Sequence, residues 1–249
     1  MELSGKVAVI TGGGTGIGKA IATLFAQEGA KVMIAGRREE PLRQTCGEIT
    51  TEGGEAEYVV TDASQSVQVQ GLFEQTAASF GKIDILVNNA AVFVKGKQGH
   101  EFSEEEWETV LNTNLKSVIL CSRYAIPYLK QNGGVILNVT SVSAHLAQRL
   151  QMPYNVSKAA VEMLSKCMAL ELGPSNVRVN TICPSMTETD MAALAIATKG
   201  REAIGNDHPL RRMGQPMDSA QAALYLASDR ASWVSGNSLF VDGGITSNL

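Results

Sequence analysis

The sequence predicts one α/β domain built on a doubly wound parallel sheet of about seven strands. Three observations point there. Short β-branched runs alternate with helix-length segments, several of the runs are apolar on both faces, and no repeat, low-complexity tract or linker breaks the alternation. Runs such as Val7-Ala8-Val9-Ile10 and Ile85-Leu86-Val87 suit a parallel sheet covered by helices on each side. The 249 residues could bury one large core or two small ones, so length by itself does not choose.

The first strand is expected over Val7–Thr11, followed by a glycine-rich turn and a helix from about Ile17 to Glu28. The second strand is Lys31–Ala35. Further strands are expected over Glu57–Val60, Ile83–Asn88, Val135–Thr140, Val177–Ile182 and Ser238–Val241. Between the fourth and fifth, Trp107, Leu111, Leu115, Val118, Ser122, Ala125 and Leu129 form the apolar stripe of one long helix. Pro127 should kink or loosen its last turn. A second stripe, Val161, Leu164, Met168 and Leu172, ends at Gly173-Pro174. From Pro184 to Pro216 the chain is longer than a strand-to-helix connection requires. Met186, Met191, Leu194, Ile196 and His208 could line a substrate pocket there, as parts of a lid. Equally, the segment could be a helical excursion packed on the body or on a neighbouring subunit.

Composition excludes several classes. Hydrophobic residues at 44% and charged residues at 18% describe an ordinary globular protein. A net charge of −4 offers no electrostatic case for nucleic acid or an anionic membrane as partner. Ser4 leads almost directly into a strand, which leaves no room for a signal peptide, and no apolar run approaches a membrane span. Cys46, Cys121, Cys167 and Cys183 are far apart and lack metal-ligand spacing, so reduced thiols in a cytoplasmic protein without a bound metal are expected.

The turn after the first strand reads Thr11-Gly12-Gly13-Gly14-Thr15-Gly16-Ile17-Gly18. Missing side chains let backbone approach a pyrophosphate, and the helix that begins here offers free N–H groups at its positive dipole end. The spacing of Gly12, Gly16 and Gly18 is G-x-x-x-G-x-G, not the G-x-G-x-x-G dinucleotide fingerprint. The second strand ends at Ala35-Gly36-Arg37-Arg38, where an NAD-selective site would place an acid for the ribose hydroxyls. Arg37 and Arg38 could instead pair with a 2′-phosphate, which implies NADP(H). The alternative is that they only balance Glu39 and Glu40 on a solvated helix start.

Tyr154 and Lys158 are four apart on a helix and so share a face. Ser141 precedes Tyr154 by thirteen residues, and Asn114 lies within the long amphipathic helix. In this order, the glycine loop, Asn114, Ser141 and Tyr154-Asn155-Val156-Ser157-Lys158 resemble the short-chain dehydrogenase/reductase family, from about Gly5 to Gly244. The resemblance implies a Rossmann-type fold and hydride transfer between a nicotinamide and a carbonyl or secondary alcohol. It implies that Tyr154 is the general acid/base, that Ser141 holds the substrate oxygen, and that Lys158 lowers the tyrosine pKa and binds the nicotinamide ribose. Asn114 would hold a water that relays protons.

For the cofactor, the resemblance adds Gly14, Thr15 and Ile17 in the loop, and Asp62 and Ala63 after the third strand. It also adds Asn89 and Ala90 of Asn88-Asn89-Ala90-Ala91, and Pro184, Ser185, Thr187 and Thr189 after the sixth strand. Ala91 and Ser185 stand where the family usually has glycine, and Thr15 where many NADP-dependent members carry a base.

A tyrosine of pKa about 10 needs about 3 units, roughly 4 kcal/mol, to act as a base near neutrality. An ammonium about 5 Å away contributes roughly 3 kcal/mol at an effective dielectric of about 20. The substrate pocket is expected to use Ser141, Ser143, His145, Gln151, Met152 and Tyr154, with Val92–Val94 and the lid residues Met186 and Met191. That apolar mix favours a medium-sized ketone or alcohol over a small sugar. His145 could titrate near neutrality or be structural. An acyl-carrier-protein reductase is the alternative, and Lys95, Lys97, Arg149, Arg211 and Arg212 would then form a basic patch or else be scattered charges. A cofactor-sensing protein without turnover would usually lose the tyrosine or the lysine, and this chain keeps both. By resemblance, the helices carrying Asn114 and Tyr154 and the segment Gly236–Leu249 form two dimer interfaces, implying a homotetramer.

Overall fold

The computed structural model describes residues 1–247. Seven parallel strands form one sheet. β1 (Val7–Thr11) is flanked on one side by β2 (Lys31–Gly36) and β3 (Glu55–Val60). On its other side lie β4 (Ile85–Asn88), β5 (Gly134–Val139), β6 (Val177–Pro184) and β7 (Ser238–Val241). The chain therefore leaves β1 in one direction and returns to its opposite side through β4. A split between β1 and β4 at the carboxyl ends of the strands follows, which is where open α/β sheets bind ligands.

Side-chain alternation divides the interior into two layers. Ala8, Ile10, Ile34, Val87 and Leu137 point to one face. There they meet Ile21 and Phe25 of α1 (Gly16–Gln27), Leu42 and Ile49 of α2 (Glu39–Thr51), and Ala220 and Ala223 of α9 (Pro216–Ala227). Val9, Met33, Leu86, Ile136 and Val179 point the other way. They meet Leu72 and Phe73 of α3 (Ser66–Phe80), Cys121 and Leu129 of α5 (Ser117–Asn132), and Met168 of α6 (Met152–Leu172). Burial on both faces explains why strand runs such as Ile85-Leu86-Val87 are apolar throughout.

Two expectations change, in the first long helix and at the end of the second stripe. The helix expected as one rod over Trp107–Leu129 is α4 (Glu104–Leu111), a π-helical turn (Asn112–Lys116) and α5. The wide turn brings Asn114 inward, only 1% exposed, to a place where both polar groups of the Val92 backbone need partners. α5 continues through Pro127 to Asn132. The second stripe does end at Leu172, but Gly173 keeps a right-handed φ of −51°, and the left-handed turn falls on Asn176 at φ 55°.

Between β6 and α9 the chain forms α7 (Ala193–Lys199) and α8 (Arg201–Asn206). Their apolar side chains close on themselves, with Ala192, Ile204 and Met213 buried and Met186, Ala195 and Ile196 packed against them. The neck is pinned by pairing of Thr187 with Gly214 and by a 2.9 Å contact between Ser185 Oγ and His208 Nε2.

Candidate active site

At the split between β1 and β4 lies a cleft of about 610 Å³. Its floor is the glycine turn. Gly12 and Gly16 hold left-handed φ values of 66° and 54°. Gly18 does not line the cleft; a Cβ there would lie 2.2 Å from the Gly12 carbonyl oxygen and 2.4 Å from Asn89 Nδ2. Its lack of a side chain lets α1 close against β1 and β4. Asn89 completes that closure by donating from Nδ2 to the carbonyls of Thr11 and Gly12, each at 3.1 Å. Thr11 Oγ1 in turn accepts from the N–H groups of Asn89 and Ala90, at 3.0 and 3.1 Å.

Every other residue assigned from the sequence to the cofactor lines this one cleft. Gly12, Gly14, Thr15, Gly16 and Ile17 form the turn. Arg37, Arg38, Asp62 and Ala63 form one end, with Asn89 and Ala90 beside them. Pro184, Ser185, Thr187 and Thr189 close the opposite wall. The two unusual residues fit without strain: neither Ala91 nor Ser185 has a positive φ. Ser185 Oγ instead lies at hydrogen-bond distance, 2.9 Å, from Nε2 of buried His208, whose Nδ1 donates to the Ile204 carbonyl at 3.0 Å.

Gly36 leaves open space, its Cβ position meeting only Leu42 side-chain atoms at 3.6 Å or more. Glu39 accepts from the Tyr58 hydroxyl and Glu40 is paired with Arg43. Neither balances Arg37 or Arg38, which have no carboxylate partner among the described residues.

At the far end of the cleft are Ser141, Tyr154 and Lys158. α6 places Tyr154 and Lys158 one turn apart on its buried face. Lys158 Nζ lies 5.6 Å from the Tyr154 ring centroid and donates to the Val139 carbonyl at 2.8 Å. Ser141 Oγ accepts from the Ser143 N–H at 3.1 Å. The phenol rests edge-on to Phe93, with ring centroids 4.9 Å apart. The direction expected for the tyrosine is reversed in the protein by itself. Burial pushes Tyr154 up to about 12, with only partial relief from the Ser141 hydroxyl. Burial also lowers Lys158 to about 8, and the nearby Cys183 and Glu162 oppose that fall.

Several substrate-side expectations fall outside the cleft, Val92 and Val94 among them. His145 packs on Phe240 beside Glu162, with ring centroids 4.8 Å apart. Met152 covers Gly99 and is 47% exposed. His208 is buried under Ser185, and Ile196 belongs to the small core of the α7–α8 excursion. Leu194 is exposed as well. Asn114 lies behind the cleft wall, where its amide binds the Val92 backbone and Ser157 Oγ. Ser143, Gln151, Met186 and Met191 do line the cleft. So do Phe93, at the centre of the Val92–Val94 run, and Gln148 and Thr113, which no sequence signal singled out. Of the five basic residues considered for a carrier patch, only Lys95 lines the cleft; Lys97 is paired with Glu106 and Arg212 with Asp218.

The family model described as Enoyl-(Acyl carrier protein) reductase matches residues 12–246. The chain belongs to the short-chain dehydrogenase/reductase family. A 3-oxoacyl-[acyl-carrier-protein] reductase from Thermotoga maritima is 38% identical, over 98% of this chain and 99% of its own length. A cyclopentanol dehydrogenase from Comamonas sp. is 36% identical, over 99% of each. A solved structure from Beutenbergia cavernae superposes with a TM-score of 0.93 at 35% identity, over 99% of this chain and 98% of the other. That protein carries a provisional name, NAD(P) dependent gluconate 5-dehydrogenase, and holds NADP at low occupancy. The short-chain enzyme described here is thus an oxidoreductase acting on CH–OH groups with a nicotinamide cofactor. No helix among its described residues is long and apolar enough to cross a membrane.

Gly18→Val should force α1 away from β1 and β4. A loss of about 1–3 kcal/mol in urea unfolding is expected, as for other overpacked sites. Unchanged stability would show that the turn relaxes freely.

Proposed function

We propose that this enzyme is an NADP(H)-dependent oxidoreductase that interconverts a carbonyl and a secondary alcohol on a medium-sized, partly apolar substrate. One observation carries the reading: a single cleft joins Arg37 and Arg38 at one end to Ser141, Tyr154 and Lys158 at the other. The glycine turn fits a pyrophosphate, since Gly12, Gly14 and Gly16 line the cleft where α1 begins. Gly36 leaves room for a 2′-phosphate, and two arginines free of carboxylates can bind it bidentately. Bound there, the nicotinamide would supply or accept the hydride.

The protein's own part is proton transfer and positioning. Ser141 holds the substrate oxygen, and Tyr154 donates a proton to it in reduction or removes one in oxidation. With its pKa at about 12 in the protein alone, Tyr154 is well suited to remain protonated as an acid. Acting as a base, it needs added positive charge beside it, from Lys158 and from the oxidised nicotinamide ring. Lys158 also serves the nicotinamide ribose. Asn114 would hold a water that relays protons from Lys158, and its amide fastens Val92 to α6, which supports Phe93 behind the phenol. Asp62, Asn89 and Thr189 are assigned to the adenosine and carboxamide contacts.

Phe93, Met186, Met191 and Ala195 supply an apolar surface, with Ser143, Gln148 and Gln151 as the polar minority. That lining favours a cyclic or otherwise apolar ketone, as the name of the Comamonas relative would suggest. The acyl-carrier-protein reductase reading is weaker, because Lys97 and Arg212 are neutralised by their own neighbours. A non-catalytic sensor is weaker still, given that Ser141, Tyr154 and Lys158 are gathered in one place. The α7–α8 excursion serves as the substrate lid within one domain covering the whole chain. Cytoplasmic location and a homotetramer complete the proposal. α6 exposes Val156, Met163 and Leu170 at steps of seven, with Ile119 of α5 also exposed, an apolar face suited to helix pairing. For the second interface, over Gly236–Leu249, Phe240 is 37% exposed, and Trp233 just before the segment is 98% exposed; Asn248 and Leu249 lie outside the described residues.

Tyr154→Phe should retain NADPH binding by fluorescence titration and lose at least ~100-fold in turnover. Near-normal turnover would remove Tyr154 from the chemistry. The substrate for that assay comes from a screen of cyclic ketones, acetoacetyl thioesters, aldehydes and sugars with NADPH and NADP⁺. Strong selectivity for a free sugar would overturn the apolar reading. Arg37→Ala/Arg38→Ala should reduce kcat/KM for NADPH by about 10–100-fold and leave NADH nearly unaffected, the scale of one or two charge-assisted bonds. Wild-type preference for NADH would refute the cofactor assignment. Light scattering should give four times the 26.5 kDa chain mass; a monomer at micromolar concentration would reject the assembly.

A further inference from the structure

Beneath the reacting residues lies a buried carboxylate that the proposed reaction does not use. Glu162 follows Lys158 by four residues on α6, so Tyr154, Lys158 and Glu162 form one continuous stripe against β5 and β6. Glu162 is 5% exposed. Its oxygens accept from four side chains on three elements. Thr140, just after β5, donates at 2.6 Å, and Thr181 of β6 donates at 2.9 and 3.0 Å to the two oxygens. Cys183 of β6 donates from Sγ at 3.1 Å, and Ser238 of β7 at 2.5 Å. Despite burial, these donors hold the carboxyl below its ordinary pKa, so it is a carboxylate.

The groups facing it are few. His145, in the turn after β5, has Nε2 3.6 Å from Oε1 and is partly open to solvent. Lys158, on the same helix, is the one buried lysine or arginine among the described residues. No ion pair joins it to Glu162; its ammonium sits at the Val139 carbonyl, one residue before the threonine that Glu162 holds. The two charges thus grip consecutive residues at the end of β5, immediately before Ser141. His145, Glu162 and Cys183 also have mutual spacings that a metal ion could bridge, within 4.8 Å of one another. Yet the carboxylate is already filled by hydroxyl donors and the thiol gives its proton to it. The arrangement is therefore read as an anion anchor.

We propose that Glu162 is a positioning residue for the active site: its carboxylate is the buried counter-charge that keeps Lys158 an ammonium, and its bond to Thr140 fixes the strand end that presents Ser141. A buried ammonium without a nearby anion is disfavoured by lost hydration. Two neighbours oppose this loss at Lys158, Cys183 first and Glu162 second. Tyr154 and Lys158 supply no negative charge of their own at neutral pH, and His145 supplies none at any pH. Cys183 stays a thiol, pushed up to about 12 by burial and by Glu162 itself. Glu162 is accordingly the one group facing Lys158 that is an anion at neutral pH.

This inference assumes the catalytic reading of Lys158, but its test does not. The full chain is labelled with ¹³C at lysine Cε, and the Lys158 signal is identified by its loss in Lys158→Met. Titration should show the Lys158 midpoint lower by about one pH unit in Glu162→Gln, the scale of a unit charge several ångströms away at an effective dielectric of about 20. Glu162→Asp should restore most of the shift, a rescue that a purely structural role would not give. Coupling between two charges is mutual, so carboxyl-labelled Glu162 should titrate higher in Lys158→Met. That reciprocal arm decides the matter if Glu162→Gln does not fold. An unchanged Lys158 midpoint in a folded Glu162→Gln, or an unchanged Glu162 titration in Lys158→Met, overturns the proposal. Failure of the oxidoreductase reading would be seen separately, as normal turnover in Tyr154→Phe.

Discussion

The cleft depends on a hydrogen-bonded splice between two strands that diverge. Where β1 and β4 end, Thr11 accepts from the backbone of Asn89 and Ala90, and Asn89 returns two bonds to the carbonyls of Thr11 and Gly12. Both partners are ordinary polar residues, but their bonds hold the edges of the split at one separation. The glycine turn rests on that splice, with Gly18 leaving the space that Asn89 and the Gly12 carbonyl fill. Removing side chains would only loosen a loop if nothing held it. Here the absent side chains let a fixed loop come close to its neighbours and present bare backbone to a ligand.

The end of the cleft that holds Tyr154 and Lys158 is organised by burial of charge. α6 lays Tyr154, Lys158 and Glu162 against the ends of β5 and β6, where water is excluded and each polar group must find a partner. The ammonium takes the Val139 carbonyl, and the carboxylate takes three hydroxyls and a thiol. Side-chain and backbone groups from β5, β6 and β7 therefore hold one face of one helix. The cost of burying two charges is offset by these bonds, and the geometry around Ser141 is rigid as a consequence. The same exclusion of water raises the phenol of Tyr154, so its acid/base character depends on charges brought close to it.

The α7–α8 excursion faces two ways. It packs on itself through Ala192, Ile204 and Met213, and it also gives Met186, Met191 and Ala195 to the cleft wall. Its neck is tied by the Thr187–Gly214 pairing and by the Ser185–His208 contact. Serine in place of the family's usual glycine thus acquires a partner from within the excursion.

Much of this was legible in the residues. Strand runs apolar on both faces determined a covered parallel sheet, since no other arrangement buries both sides of so many short segments. Spacing of four put Tyr154 and Lys158 on one helix face, and the glycine pattern placed the turn. What the sequence could not supply was the inward or outward direction of single side chains at the ends of elements. His145, Met152 and His208 were plausible pocket residues by position, but tertiary packing turned them toward Phe240, Gly99 and Ser185. The π turn at Asn112–Lys116 could not be read either, because a one-residue widening leaves the helical period nearly intact. Nor could the environment of Tyr154, because pKa depends on burial and on where an ammonium points, and both arise only when α6 meets β5 and β6. The sequence by itself determined which groups are present and which elements carry them. Only the tertiary structure decided which of them meet, because those contacts join residues distant in the chain.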